Sequence, residues 1–369
     1  MLSGCCRDEW ALGVAHNEAV PPHARLTDPW MLGSLRVPNR VLLAPLAGIG
    51  NWFVRLQAKR YGAGMAVSEM ISSHAVHYGN EKTCREMLRI DARERQAGPV
   101  AIQLFGEDPA MMRSAASHVA RAGADAIDIN MGCPVPKVRK TGAGASLLAD
   151  PDRAVAVARA AVEGAVTDAR SLPVTVKLRC GLRPGDHSGL ALAHRLVREA
   201  GVAAIAFHPR SADVQHKGAP AYELAAQLAR SLPAPVILTG GLSSAEEVRE
   251  AFRRTGVAAV MLARGALGNP WLFNELLRER RAAPTRAEVL DELEWTIARA
   301  VEHLGERRAT RYLRKFYPWY LERLALEPPT TKELQSALQA AEGVAGARRL
   351  LDTLRAPRTA AHESLVAAV

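Results

Sequence analysis

The chain has 369 residues, 48% hydrophobic and 23% charged, a balance that suits a folded protein with one large core and a smaller one. No run approaches the roughly 20 apolar residues a bilayer span needs, and the N-terminus lacks the basic start and apolar stretch of a secretory signal, so a cytoplasmic location is expected. Lys and Arg number 48 against 38 Asp and Glu, a formal net charge of +10 that favours a polyanionic partner such as nucleic acid, although a merely basic surface has the same composition.

Residues 1–30 lack a sustained period and read as a poorly ordered leader, with a compact domain opening at Met31. Short apolar runs then recur at Val41–Ala44, Met65–Ser68, Val100–Leu104, Ala126–Asn130, Val174–Leu178, Ala203–Phe207, Val236–Thr239 and Ala258–Leu262. Each is continuously apolar rather than alternating, as parallel strands covered on both faces are. Helical stretches such as Pro109–Ala122, Pro151–Val166 and Ala245–Thr255 lie between them. Eight such units make a closed (β/α)8 TIM barrel the economical architecture; a doubly wound open sheet would not need eight repeats. Near Asn274 the rhythm becomes purely helical, so the barrel is expected over 31–280, a small all-α bundle over 281–356 and a weakly patterned tail over 357–369. The five cysteines (5, 6, 84, 133 and 180) form no Cys-x-x-Cys pair, which argues against a disulfide framework and against a metal site.

Catalytic groups of such a barrel sit at the C-terminal ends of its strands. In chain order these ends carry Pro45-Leu46-Ala47, Glu69, Gln103, then Asp128 with Asn130 and Cys133, Lys177 with Arg179, His208 with Arg210, Thr239-Gly240-Gly241 and Ala263-Arg264-Gly265. Glycines in the seventh loop and an Arg with small neighbours in the eighth expose backbone N–H groups, the usual phosphate site of this architecture. Phosphate there, with Lys177 and His208 at the mouth, suits flavin mononucleotide (FMN): a lysine near the ring stabilises negative charge on it, and Gln103 suits the pyrimidine edge. Cys133 alone reads more readily as an inert small hydrophobe. Its loop, however, carries Lys137, Arg139 and Lys140 and glycines that permit motion over the mouth.

With these residues assembled, the chain resembles the tRNA-dihydrouridine synthases, especially the bacterial branch with a helical C-terminal domain. The matching stretches are Ala44–Gly48, Gln103–Gly106, Asp128–Pro134, Val176–Arg179, His208, Met261–Arg264 and Asn269–Trp271, with Arg314–Leu321 as the basic-aromatic helix. The resemblance implies that NADPH (or NADH) reduces FMN, that hydride passes to C6 of a tRNA uracil, and that Cys133 protonates C5. It implies FMN contacts from Pro45, Leu46, Ala47, Gln103, Lys177, His208, Thr239, Gly240, Gly241, Ala263 and Arg264, with Asn130 beside the base and Glu69 shaping the site. Lys137 and Arg179 are read as further substrate contacts. Leu46, Asn51, Thr239-Gly240-Gly241 and Cys180 depart from the family's more frequent residues, and none removes a group the chemistry needs.

A base inside a folded RNA must be flipped out before it can be reduced, a cost offset by contacts to the rest of the molecule, mostly phosphates. The helical region offers Arg307, Arg308, Arg311, Arg314 and Lys315, of which Arg307, Arg311 and Arg314 share a helical face. Partners expected are therefore tRNA and NAD(P)H, with the protein acting as a monomer. Two rivals remain open at this level. One is an FMN barrel acting on a free pyrimidine, like a dihydroorotate dehydrogenase; it leaves the basic helices unexplained. The other is a non-catalytic tRNA-binding chaperone, against which the Cys133 and flavin residues argue.

Overall fold

The computed structural model describes residues 24–278 and 282–355. Its eleven strands are β1 (Trp30–Leu32), β2 (Leu35–Val37), β3 (Val41–Leu43), β4 (Ala66–Val67), β5 (Ile71–Ser72), β6 (Val100–Phe105), β7 (Ala126–Met131), β8 (Val174–Arg179), β9 (Ala204–His208), β10 (Val236–Thr239) and β11 (Ala259–Leu262). Strands β3, β4 and β6 to β11 pair in parallel in that order, and the β11–β3 pairing closes the ring. The expected barrel is thus present, with all eight apolar runs in it. The second run contains β4 alone, and β5, just beyond it, pairs with β6 as well.

Inside the ring, small side chains (Ala44, Ala101, Ala126, Ala204, Ala206, Ala259) alternate with Leu42, Met65, Ile237 and Met261 to fill the narrow interior. Antiparallel β1 and β2 form a hairpin over the N-terminal end of the barrel: Trp30, Leu32 and Val37 join the interior cluster, and the turn at Gly33 lies against Pro173 and Ala203. Sequence patterning missed this hairpin. It also set the leader's end too late, because Leu26 and Trp30 are buried and the Trp30 indole N–H donates to the Asn39 carbonyl. The rest of the expected leader (1–23) and the tail (357–369) lie outside the described residues.

A second, larger core runs between the strands and the surrounding helices and continues without a break into the C-terminal helices 286–304, 306–313, 317–321, 328–340 and 343–353. Helix Trp52–Arg60 sits between the two regions, with eight of its nine residues buried. Gln57 Nε2 donates to Glu292 Oε1 at 2.8 Å and to the Tyr320 hydroxyl at 2.7 Å, and the Tyr61 hydroxyl donates to Glu292 Oε2 at 2.8 Å. On the same helix Arg55, fully buried, donates to both carboxylate oxygens of equally buried Glu94, at 2.6 and 2.9 Å, and to the Gly50 and Arg89 carbonyls. Removing one partner of such a pair leaves an uncompensated interior charge. Glu94→Ala is therefore expected to lower stability by about 3–5 kcal/mol in urea denaturation, and a loss under about 1 kcal/mol would show that the pair is dispensable.

Candidate active site

β7 is buried along its whole length and delivers Asp128, Asn130 and the Cys133 turn to the barrel mouth. Asp128 is an acceptor-only group when ionised. It takes the Thr175 hydroxyl on Oδ1 and Gln103 Nε2 on Oδ2, the latter at 2.6 Å. Gln103 therefore turns its Oε1 the other way, where it accepts from Asn130 Nδ2 at 3.0 Å. Asn130 in turn presents Oδ1 to the backbone N–H groups of Gly132 and Cys133, at 3.2 and 2.9 Å. One buried carboxylate thus orients two amides and, through them, the Cys133 turn. Burial raises the Asp128 pKa to about 6, and the hydrogen bonds from Thr175 and Gln103 oppose the rise.

Cys133 is half-buried. Its carbonyl accepts from Ala145 N–H at 3.0 Å, and Gly144, at φ +63°, lies so close that a Cβ there would fall 2.9 Å from the same oxygen. The loop whose glycines were read as permitting motion over the mouth begins with a short helix, Pro136–Arg139, with Val138 buried beneath it and Arg139 paired to Asp213 at 3.4 Å. Lys137 stands exposed on this helix.

Lys177 on β8 points into the mouth and has no hydrogen-bond partner among the described residues. Burial, reinforced by Arg179, lowers its pKa to about 8, while Asp128 and Cys133 pull it back up. Arg179, read in sequence as a substrate contact, is 3% exposed, and its guanidinium donates to the carbonyls of Gly132, Ser211 and Gln215, at 2.9, 3.0 and 2.7 Å. These bonds, made by Nε and Nη1, tie the Cys133 turn to the loop after β9 and leave Nη2 without a partner among the described residues.

His208 at the end of β9 is buried, and its Nε2 accepts from Arg210 Nη1 at 3.3 Å. Its ring stacks with His216, centroids 6.0 Å apart. Burial first, then Lys177, Arg179 and Arg210, hold the His208 pKa well below its ordinary value; burial and Arg264 push His216 down to about 4. Sequence reasoning missed His216, which lies in a polar loop with no periodic signal. Ser211, in the same loop, buries a hydroxyl without a partner.

Thr239 is buried at the end of β10, and Gly240 and Gly241 follow at φ +99° and +74°. A Cβ on Gly240 would meet His208 Nε2 at 2.3 Å, so only glycine brings this turn against the histidine. Arg264, after β11 and Ala263, is exposed with no ion pair among the described residues, and its field reaches His216 and Arg210.

The loop after β3 completes the rim. Pro45 is half-buried and Ala47 exposed, while the Leu46 side chain is 8% exposed and joins the helix-side core, leaving only its backbone for a ligand. Gly48 N–H donates to Glu69 Oε2 at 2.8 Å, and burial raises the Glu69 pKa. Lys315, read in sequence among the basic RNA contacts of the helical region, donates to the Gly48 carbonyl at 3.1 Å. Arg311 and Arg314 are exposed without ion pairs among the described residues, as is Arg307; Arg308 is taken up by Glu86.

These features suit FMN: an unpartnered lysine inside the mouth, a glycine cradle that a Cβ would fill, an orphaned hydroxyl and a free arginine beyond it. Gln103, with both ends engaged, still has one N–H and one lone pair to offer. Fold and mouth together define a flavin-dependent barrel oxidoreductase. A model described as "Dihydrouridine synthase (Dus)" matches residues 42–360, and the chain belongs to that family. It is 34% identical over 316 residues to tRNA-dihydrouridine synthase B of Xanthomonas campestris pv. campestris, covering 84% of this chain and 91% of the relative. Identity is 36% to tRNA-dihydrouridine synthase B of Pseudomonas aeruginosa (79% and 87% covered) and 36% to a probable tRNA-dihydrouridine synthase 1 of Synechocystis (79% and 81%). Among solved structures, morphinone reductase superposes with a TM-score of 0.52 at 18% identity, covering 70% of this chain and 90% of that one. A 2-naphthoyl-CoA reductase complex gives 0.55 at 14%, covering 69% and 52%. These two share the fold.

His208 has a consequence for acid stability. Its folded pKa lies below the ordinary 6.5, so between the two values the unfolded chain binds a proton that the folded chain does not. Stability of the flavin-free protein therefore falls as pH drops below about 6.5, with His216 adding to the slope. His208→Asn should flatten the pH dependence of the unfolding free energy, read by urea denaturation, by up to about 1.4 kcal/mol per pH unit, and an unchanged slope would refute the neutral assignment.

Proposed function

We propose that this protein reduces the C5–C6 double bond of uridines in tRNA, with Cys133 as proton donor and FMN, replenished by NADPH or NADH, as the hydride source. The observation that carries this reading is the oriented chain from Asp128 through Gln103 and Asn130 to Cys133, set beside an unpartnered Lys177 in a family barrel. FMN, held by the residues assigned below, would supply hydride to C6 of the uracil ring. As C6 gains it, the Cys133 thiol gives its proton to C5, and the double bond becomes a single bond with one new hydrogen at each carbon. The negative charge left on sulfur faces Lys177 and Arg179, both of which feel a charge at Cys133. Asn130, beside the turn, is suited to hold the base edge.

Pro45, Ala47, the Leu46 backbone, Gln103 and Lys177 are assigned to the ring, and His208, Thr239, Gly240, Gly241, Ala263 and Arg264 to the phosphate end. Residues 281–356 are read as the RNA-holding domain, with Arg311 and Arg314 on its open face, Lys137 approaching from the Cys133 side and Lys315 from the rim. The reading is of a monomer in the cytoplasm; among the described residues no helix is long and apolar enough to cross a membrane, and no cluster of His, Cys, Asp or Glu could hold a metal.

Cys133→Ala should keep bound FMN and oxidise NADPH, yet form dihydrouridine in tRNA at least about 10²-fold more slowly, the usual worth of a placed acid. Product formation at the normal rate would remove Cys133 from the mechanism. Free uridine and orotate should fail to oxidise the reduced enzyme where uridine-containing tRNA succeeds, which separates this reading from a free-pyrimidine reductase. Arg311→Glu with Arg314→Glu should weaken tRNA binding and reduce its salt slope by roughly 2, since each phosphate contact contributes about 0.7–0.9. Unaltered affinity would place the RNA face elsewhere.

A further inference from the structure

Asn51 occupies the N-cap position of helix Trp52–Arg60, where an Asn side chain ordinarily accepts from the first turn's N–H groups. Here it makes no such bond. Its Nδ2 donates to the Tyr312 hydroxyl at 2.7 Å, and its Oδ1 is buried without a partner. The Tyr312 hydroxyl donates onward to the Ile49 carbonyl at 2.7 Å. Next to it, Lys315 holds the Gly48 carbonyl and lies 5.4 Å from the Tyr312 ring centre. A helix start has given up its own cap, and left a buried acceptor unpaired, so that a residue 261 positions away can grip the loop after β3. Local rules broken at this cost mark places where position matters more than stability.

That loop carries Pro45, Leu46 and Ala47. The gripping turn also carries Arg311 and Arg314, whose side chains face solvent. We propose that Tyr312 is a positioning residue for the cofactor: the C-terminal helices hold the loop after β3 in the shape that retains FMN, and RNA docking on Arg311 and Arg314 is felt at the flavin through this turn. The inference rests on the flavin assignment made above. Tyr312 touches neither cofactor nor base; it acts through the carbonyl of Ile49 and the amide of Asn51.

Two substitutions in the full chain test it. Tyr312→Phe keeps the ring packed against Phe53 and Phe316 and removes only the hydroxyl. It should weaken FMN binding, read by flavin fluorescence, about three- to tenfold, the worth of one or two net hydrogen bonds. The melting temperature of the flavin-free protein should stay within about 2 °C. Asn51→Ser restores a good cap while losing the reach to Tyr312, so it should leave the flavin-free protein as stable as the parent, or more so, and still weaken FMN. If both variants bind FMN like the parent, the inference is overturned. If instead both lose stability with FMN affinity unchanged, Tyr312 is only a domain fastener, and the inference falls as well. A parent chain that fails to bind FMN at all would sink the flavin reading itself, a result distinct from either.

Discussion

The burial of helix Trp52–Arg60 is the constraint on which the rest of the molecule depends. A barrel helix normally turns one face to the strands and the other to water, but here both faces are covered, and nearly every side chain has had to find an interior partner. Arg55 finds Glu94, Gln57 finds Glu292 and Tyr320, and Lys59 donates to the Glu94 and Gly98 carbonyls. Buried polar groups are costly when unmatched and specific when matched, so this helix admits only one way of laying the C-terminal helices on the barrel. That single arrangement places Tyr312 and Lys315 at the rim of the mouth rather than on a free-standing appendage.

At the mouth, charge is handled by direction rather than by neutralisation. Asp128 is far enough inside to be costly as an ion, yet its two donors are aimed at it, and its acceptor character passes outward as a fixed orientation of Gln103 and Asn130. A neutral residue in its place would not impose that orientation, because an amide presents a donor or an acceptor equally well. On the other side of the mouth, burial first and then a surplus of cations hold the pKa values of His208 and His216 down, and Lys177 and Arg264 have no ion pair among the described residues. An anionic cofactor bound there would meet groups whose charges already repel one another, so its binding relieves an existing strain.

Much of this was legible in the sequence, for identifiable reasons. The eight barrel strands showed themselves because both their faces are covered and their residues are continuously apolar, and the polar groups at their ends stood out against that background. Hairpin β1–β2 was not legible: Met31 and Arg36 face outward, each strand has three residues, and so short an alternation resembles a loop. Arg179 looked like a ligand group because it ends a strand beside Lys177; nothing in the chain announces that three carbonyls from two other loops converge on it. Lys315 was read with the other basic residues of the helical region as an RNA contact, and nothing in the chain announces its partner Gly48, 267 residues away. Non-local hydrogen bonds leave no periodic trace, and the errors fall where such bonds decide which way a polar side chain turns.

The same distinction explains why the basic surplus of the chain was informative only in part. Of the cations in the helical region, Arg308 is matched by Glu86, Arg348 by Glu294 and Arg355 by Asp291, so they fasten elements together. Lys315 is engaged at the rim. Arg307, Arg311 and Arg314 stay open along one stretch of chain, and Lys137 stays open on the short helix after Cys133. A formal charge of +10 therefore overstates the surface available to a polyanion and says nothing of where it lies. Arg323, Lys332 and Arg349 are likewise exposed without an ion pair among the described residues, so pairing alone does not single out one face. An RNA that met Arg311 and Arg314 through its phosphates, as proposed above, would gain binding energy able to offset unstacking a base.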